Sequence, residues 1–206
     1  MGSDASDSEL LLDRARAGDD DAVNRLLVKN RRRLRSVIGV RLDPRLASRV
    51  DPSDVVQETL LEAHRQFDEY LRTEPLPVFP WLRRVAFQKL LQLERKHLAS
   101  GKRSIHREDQ FGSMLSDESV ARLARRLLSS ESGPVHRLVL AEQKTRVRAA
   151  LEQLAETDRE LLVMHYMERL AFDEIGSILG LRDSALKMRH LRALKRLRSL
   201  LDKPGN

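Results

Sequence analysis

Cysteine is absent from the 206 residues, so the chain has no disulfide framework, thiolate metal site or thiol nucleophile. That suits a reducing compartment, and a cytoplasmic location is expected. Aromatic residues make up only 4% of the chain, and few of the apolar residues are β-branched. Such a composition favours helices packed through Leu and Ala, with almost no strand. No apolar run is long enough to span a bilayer. Residues 1–12, acidic and Ser-rich, lack the basic flank and apolar core of a signal peptide, so neither membrane insertion nor export is expected. A phosphate-cradling glycine loop, a metal-spaced cluster and a nucleophile with its base are all missing too, and His97 and His106 stand isolated. An enzyme is therefore not expected, nor is any cofactor or bound metal.

What the chain does have is charge. Asp, Glu, Lys and Arg make up 33% of it and leave a formal net charge of +7, which points to a polyanionic partner. Apolar residues recur at helical spacing from Leu10 to Val40, with a break at Gly18 after which Asp19, Asp20 and Asp21 suit a helix N-terminus. Asp51-Pro52-Ser53-Asp54 opens a helix running to about Tyr70. Pro75, Pro77 and Pro80 then mark a stiff loop, and helical spacing resumes from Trp81 to about Ala99. Four helices are thus expected in a first domain, residues 1–101. Residues 102–134 read as a polar linker with one amphipathic helical segment through Val120, Leu123, Leu127 and Leu128. The second domain, 135–206, shows helical patterns at 135–155, 157–169 and 172–179, then Gly180 and a last helix to Leu201. The fold class expected is all-α: two small helical domains joined by a partly helical linker.

Phe172 to Leu201 has the form of a helix-turn-helix: a short apolar-faced helix, a glycine turn and a longer basic helix. At about 100° per residue, Leu186, His190, Ala193, Leu194, Leu197 and Leu201 share the side to be buried. Ser184, Lys187, Met188, Leu191, Arg192 and Lys195 face the other way, flanked by Arg189, Arg196 and Arg198. A merely solvated basic face would have the same composition. Met188 and Leu191 tilt the reading toward a DNA groove, where they can meet thymine methyls, while Lys187 and Arg192 suit guanine acceptors and the flanking arginines suit phosphates. His190 reads first as a packed histidine.

In the first domain, Val56, Leu60, Ala63 and Phe67 form a buried stripe, and Asp54, Glu58 and Glu62 line the opposite side at four-residue steps. With Gln57 and Leu61 beside them they make either an ordinary solvated face or a docking face for a basic protein. The helix from Trp81 has the reverse character, with Arg83, Arg84, Lys89, Arg95, Lys96 and His97 against Glu94 alone. Tyr70, Phe79 and Trp81 bracket the proline loop and are candidates for stacking on unpaired bases, with Trp81 read first as core.

These residues resemble a known family. Asp54-Val-Val-Gln57-Glu58-Thr-Leu-Leu-Glu-Ala63 followed by Phe79-Pro-Trp81-Leu82-Arg83-Arg84-Val-Ala is similar to region two of bacterial RNA polymerase sigma factors. Asp158-Arg-Glu160 through Tyr166, Phe172-Asp-Glu174-Ile175-Gly176 and Leu186-Lys187-Met-Arg189-His-Leu-Arg192-Ala193 resemble region four of the extracytoplasmic-function group. The resemblance implies a sigma factor that brings polymerase core to promoters and helps to open them. It assigns Asp54, Gln57, Glu58, Leu61 and Glu62 to the clamp coiled coil of the beta-prime subunit. Arg83, Arg84, Gln88, Lys89 and Gln92, with Tyr70 and Phe79 in a base-capturing loop, would engage the minus-10 element. Ser184, Lys187, Met188, Arg189, Leu191, Arg192 and Lys195 would read the minus-35 element, with region four also touching the beta flap. An anti-sigma factor is left open as a further partner. The rival reading is a stand-alone helix-turn-helix regulator that binds duplex DNA without polymerase.

Overall fold

The computed structural model describes residues 2–43, 46, 49–98, 120 and 138–202, and among them all regular structure is helical. Helix α1 (Gly2–Arg16) ends before Gly18, whose φ of +86° turns the chain back, and the Asp19 carboxylate accepts a hydrogen bond from the Ala22 N–H to start α2 (Asp20–Lys29). The continuous apolar pattern to Val40 is in fact divided. The buried Asn30 side chain donates to the Leu26 carbonyl at 2.8 Å, ending α2, and α3 (Arg31–Arg41) departs in a new direction. Asp51 caps α4 (Pro52–Arg65), with Pro52 in the first turn. A second unexpected break at Gln66 separates α4 from α5 (Phe67–Thr73). Among the described residues, six helices therefore stand where four were expected.

The proline loop is shorter than its three prolines suggest. Helix α6 (Val78–Leu98) already includes Pro80 in its first turn, where a missing N–H costs nothing because those groups have no intrahelical partner. Helices α2, α3, α4 and α6 pack around one core containing Leu26, Leu34, Ile38, Val56, Trp81, Leu82 and Leu90.

The linker expected at 102–134 lies outside the described residues except for Val120, which is helical and fully buried. Helix α7 (Leu138–Glu152) is followed by α8 (Glu156–Leu162), which widens into a π-helical turn, Val163–Met167. The turn closes where the Glu168 N–H donates to the Val163 carbonyl and Arg169 takes the left-handed conformation at φ +62°. Helix α9 (Phe172–Leu179), Gly180 at φ +65° and α10 (Asp183–Leu201) complete the helix-turn-helix. Its tight crossing depends on Gly176, where a Cβ would stand 2.9 Å from the Leu181 carbonyl oxygen.

Because that neighbour is backbone and cannot swing aside, Gly176→Ala is expected to cost about 1–3 kcal/mol of unfolding free energy. Urea denaturation measures it; an unchanged midpoint would mean that the crossing has slack.

Candidate functional site

Three surfaces and one buried seam carry the candidate side chains. On α4, Asp54, Gln57, Glu58 and Leu61 all face solvent, and Leu61 keeps 55% of its surface exposed. Glu62 is half-buried at the edge of this face. It accepts from the Gln66 amide at 2.7 Å and from Lys89 Nζ at 3.3 Å, and these partners hold its carboxyl below the ordinary carboxylate range. The α4 face thus has two open carboxylates around an exposed leucine, with a third already shared with α6.

Helix α6 divides the residues expected at DNA into two groups. Arg84, Gln88 and Gln92 lie at four-residue steps and are exposed, forming one outward ridge. Lys89 instead spends its charge on Glu62. Tyr70 and Phe79 are corrections to the expected base-capturing loop: neither is on a loop and both are buried. Tyr70 stacks on Trp81 with ring centroids 4.4 Å apart, and burial pushes its phenol up to about 12. Phe79 lies in the first turn of α6 beneath the Arg33 guanidinium, 3.6 Å from the ring centre. Their area is spent on the core, as large aromatic rings near a helix start usually are. Trp81 is buried, as its sequence context indicates.

Arg83 is also withdrawn from solvent, for a reason that its place in the sequence does not reveal. Its Nε donates to Glu168 Oε2 at 2.6 Å, while Arg41 Nε on α3 donates to Glu168 Oε1 at 2.6 Å. Arg41 reaches on to Glu160 through both terminal nitrogens, each at 2.8 Å. The Arg41 and Glu168 side chains have no exposed surface, and the Phe87 ring lies beneath both guanidinium groups. At the rim, Arg33 binds Glu174 of α9 at 2.6 Å. Three arginines of the N-terminal helices therefore meet three carboxylates of the C-terminal ones. Burial alone would push Glu168 up, but Arg41 and Arg83 outweigh it and hold the carboxyl low.

On α10 the faces separate as the helical phase requires. Leu186, Ala193 and Leu197 are buried, with Leu194 and Leu201 half-buried. His190 is half-buried with its Nε2 3.1 Å from the Tyr166 hydroxyl, and burial, then His165, lowers its pKa, so the ring is neutral packing near pH 7. Ser184, Lys187, Met188, Leu191, Arg192 and Lys195 all face solvent, Met188 at 51% and Leu191 at 46% exposure. Lys187 pairs with Asp183 at 2.7 Å, but both side chains are well exposed, so the pair is easily exchanged for another anion. Arg189 is held by Asp158 of α8 at 2.7 Å, beside a notch of about 540 Å³ that Met188 and Arg192 also line.

Known proteins resemble this chain over part or most of its length. Residues 144–197 match the family model described as sigma-70, region 4. RNA polymerase sigma factor FliA of Salmonella typhimurium is 36% identical over 73 residues, 35% of this chain and 30% of that protein. The ECF RNA polymerase sigma factor SigM of Bacillus subtilis is 26% identical over 153 residues, covering 74% of this chain and 81% of the relative. RNA polymerase sigma factor CnrH of Cupriavidus metallidurans is 28% identical over 152 residues, 74% of each chain. The chain is thus similar to the sigma factors SigM and CnrH over about three quarters of its length. A solved structure of CnrH in complex with the cytosolic domain of CnrY has the same fold, with a TM-score of 0.50, 22% identity, and coverage of 95% of this chain and 97% of that one. The sigma-like chain spans about a third of the length of the FliA relatives it matches.

Since Glu168 is held low in the fold, it binds a proton more readily once unfolded. Its contribution is therefore present above the ordinary glutamate value of 4.5 and is lost as pH falls through the folded value. Urea unfolding from pH 7 downward is expected to show stability falling on acidification, with a flatter dependence in Glu168→Gln. Glu168→Ala, which leaves two arginines facing an empty site, should cost about 3–5 kcal/mol. Equal pH slopes for the parent and the glutamine variant would mean that the carboxylate does not carry the seam.

Proposed function

We propose that the chain acts as a sigma factor, bringing RNA polymerase core to promoters and assisting DNA opening in transcription initiation. The observation that carries this reading is the simultaneous outward display of an acidic, leucine-centred face on α4 and a basic reading face on α10. A protein that only bound DNA would gain nothing from Asp54 and Glu58, which phosphates repel. A stand-alone regulator therefore leaves the α4 face without a use.

In this reading Asp54, Gln57, Glu58, Leu61 and Glu62 grip the beta-prime clamp coiled coil. The ridge of Arg84, Gln88 and Gln92 faces the minus-10 element. Lys187, Met188, Leu191 and Arg192 read the minus-35 element from the major groove, with Ser184, Arg189 and Lys195 on the backbone. The working division is residues 1–101 for core docking and the minus-10 element, 102–134 as linker, and 135–206 for the minus-35 element, with the beta flap as a further contact. Arg83 joins the DNA-facing group only when the seam to Glu168 opens, so binding of core and opening of the seam are linked steps. CnrH is seen with the cytosolic domain of another protein, and a regulatory protein partner of that kind, an anti-sigma factor, fits this chain as well.

Run-off transcription with purified core polymerase tests the assignment. Lys187→Ala with Arg192→Ala is expected to reduce promoter selection by about 1–3 kcal/mol for each base no longer read, while core pull-down is unchanged. Glu58→Lys is expected to weaken core binding about tenfold, or ~1.4 kcal/mol, with DNA binding intact. Tight, specific promoter binding by the chain without polymerase would overturn the reading.

A further inference from the structure

Helix α3 carries a charged face that neither the core nor the assigned sites use. Arg31, Arg32 and Arg35 are exposed, and at 100° per residue they flank Ser36 and Gly39 on one side of the helix. No acid stands in the first turn of α3, so Arg31 and Arg32 sit at the end of a helix where the dipole disfavours them. Arg35 feels the nearby Asp51 carboxylate, whereas Arg31 and Arg32 make no ion pair among the described residues. The next arginine round the helix, Arg33, does bind an anion, taking both oxygens of Glu174 through one terminal nitrogen, at 2.8 and 2.6 Å.

Gly39 is the more telling residue. Glycine inside a helix is disfavoured relative to alanine, and here the fold does not ask for it: its φ is not positive, and a Cβ would find nothing within 4 Å. A helix position that is bare without any internal need leaves room for something outside to approach the backbone. Ser36 beside it is also small. This side of α3 therefore sets small residues among arginines, with no exposed apolar side chain of its own to anchor a protein interface.

We propose that this face of α3 is a second DNA-binding surface, with Arg31, Arg32 and Arg35 holding the phosphate backbone and Gly39 and Ser36 letting it lie close to the helix. The strand bound there needs no particular sequence, since phosphate contacts position without specifying. This inference rests on the reading of the chain as a DNA-binding initiation factor, and it adds a region of the N-terminal helices to which that reading gives no role.

The test is fluorescence anisotropy of the full chain with a labelled 25-base-pair duplex, over a range of potassium chloride concentrations. The slope of log affinity against log salt should fall by about 2–3 for Arg31→Ala/Arg32→Ala/Arg35→Ala, near 0.9 for each phosphate no longer neutralised. Gly39→Ala separates ligand approach from folding: it is expected to raise the melting temperature yet weaken DNA binding severalfold. An unchanged slope in the triple variant, or parental affinity in Gly39→Ala, overturns the proposal. So does a triple variant that keeps its DNA slope but loses capture by core polymerase, since the face would then serve a protein. Lys187→Ala/Arg192→Ala run in parallel keeps the two readings apart. If it alone lowers the slope, the α3 surface fails and the wider reading stands, whereas if neither variant lowers it, both fail.

Discussion

The arrangement of the whole chain depends on how Arg41, Arg83, Glu160 and Glu168 share charge away from water. Isolated, each of these groups would be costly to bury, and removing any one of them leaves the others uncompensated. Together they are satisfied, with Arg41 binding two carboxylates and Glu168 accepting from two arginines. Ion pairs of this kind add little net stability compared with an apolar seam, because each ion regains its hydration when the pair separates. What they provide is a specific register between the N-terminal and C-terminal helices and a junction whose separated state is not heavily penalised. In the proposed function, which has the chain grip an enzyme and two DNA elements in turn, a seam of that type is an advantage.

The seam also bears on how charge is distributed over the exposed faces. Glu160, Glu168 and Glu174 are turned toward arginines of the other half, and α10 presents an almost wholly basic exterior, with Asp183 at its start as the exception. Asp54 and Glu58 remain exposed on a different helix, α4. Charge is therefore sorted by helix face, which lets one short chain address partners of opposite sign.

Much of this was legible in the sequence. The apolar phase of α10 placed Leu186, Ala193 and Leu197 inside and Lys187 and Arg192 outside, and the spacing of Asp54 and Glu58 opposite Val56 and Ala63 placed the acids in solvent. Local rules sufficed because each face is set by one helix alone. The misses depend on tertiary context. Asn30 and Gln66 end helices through caps and packing that apolar spacing does not register. Tyr70 and Phe79 flank a proline loop in sequence but pack under Trp81 and Arg33 in space. The seam left a faint signal: Arg41 falls in phase with Leu34, Val37 and Ile38, and Arg83 with Phe79, Ala86 and Leu90, so each basic residue interrupts an apolar stripe. An arginine on the buried phase of a helix implies a buried carboxylate elsewhere, though it does not say which one. The π-helical turn that delivers Glu168 has no comparable sequence mark.

The proposed function has this ion-paired chain open on polymerase, and the lack of native cysteine makes the direct measurement simple. Spin labels at Arg72→Cys on α5 and Arg198→Cys on α10, both exposed positions, report the separation of the two halves by pulsed dipolar spectroscopy. One narrow distance is expected in the free chain and a longer one once core polymerase is bound. The same short distance in a transcriptionally active complex would contradict opening of the seam.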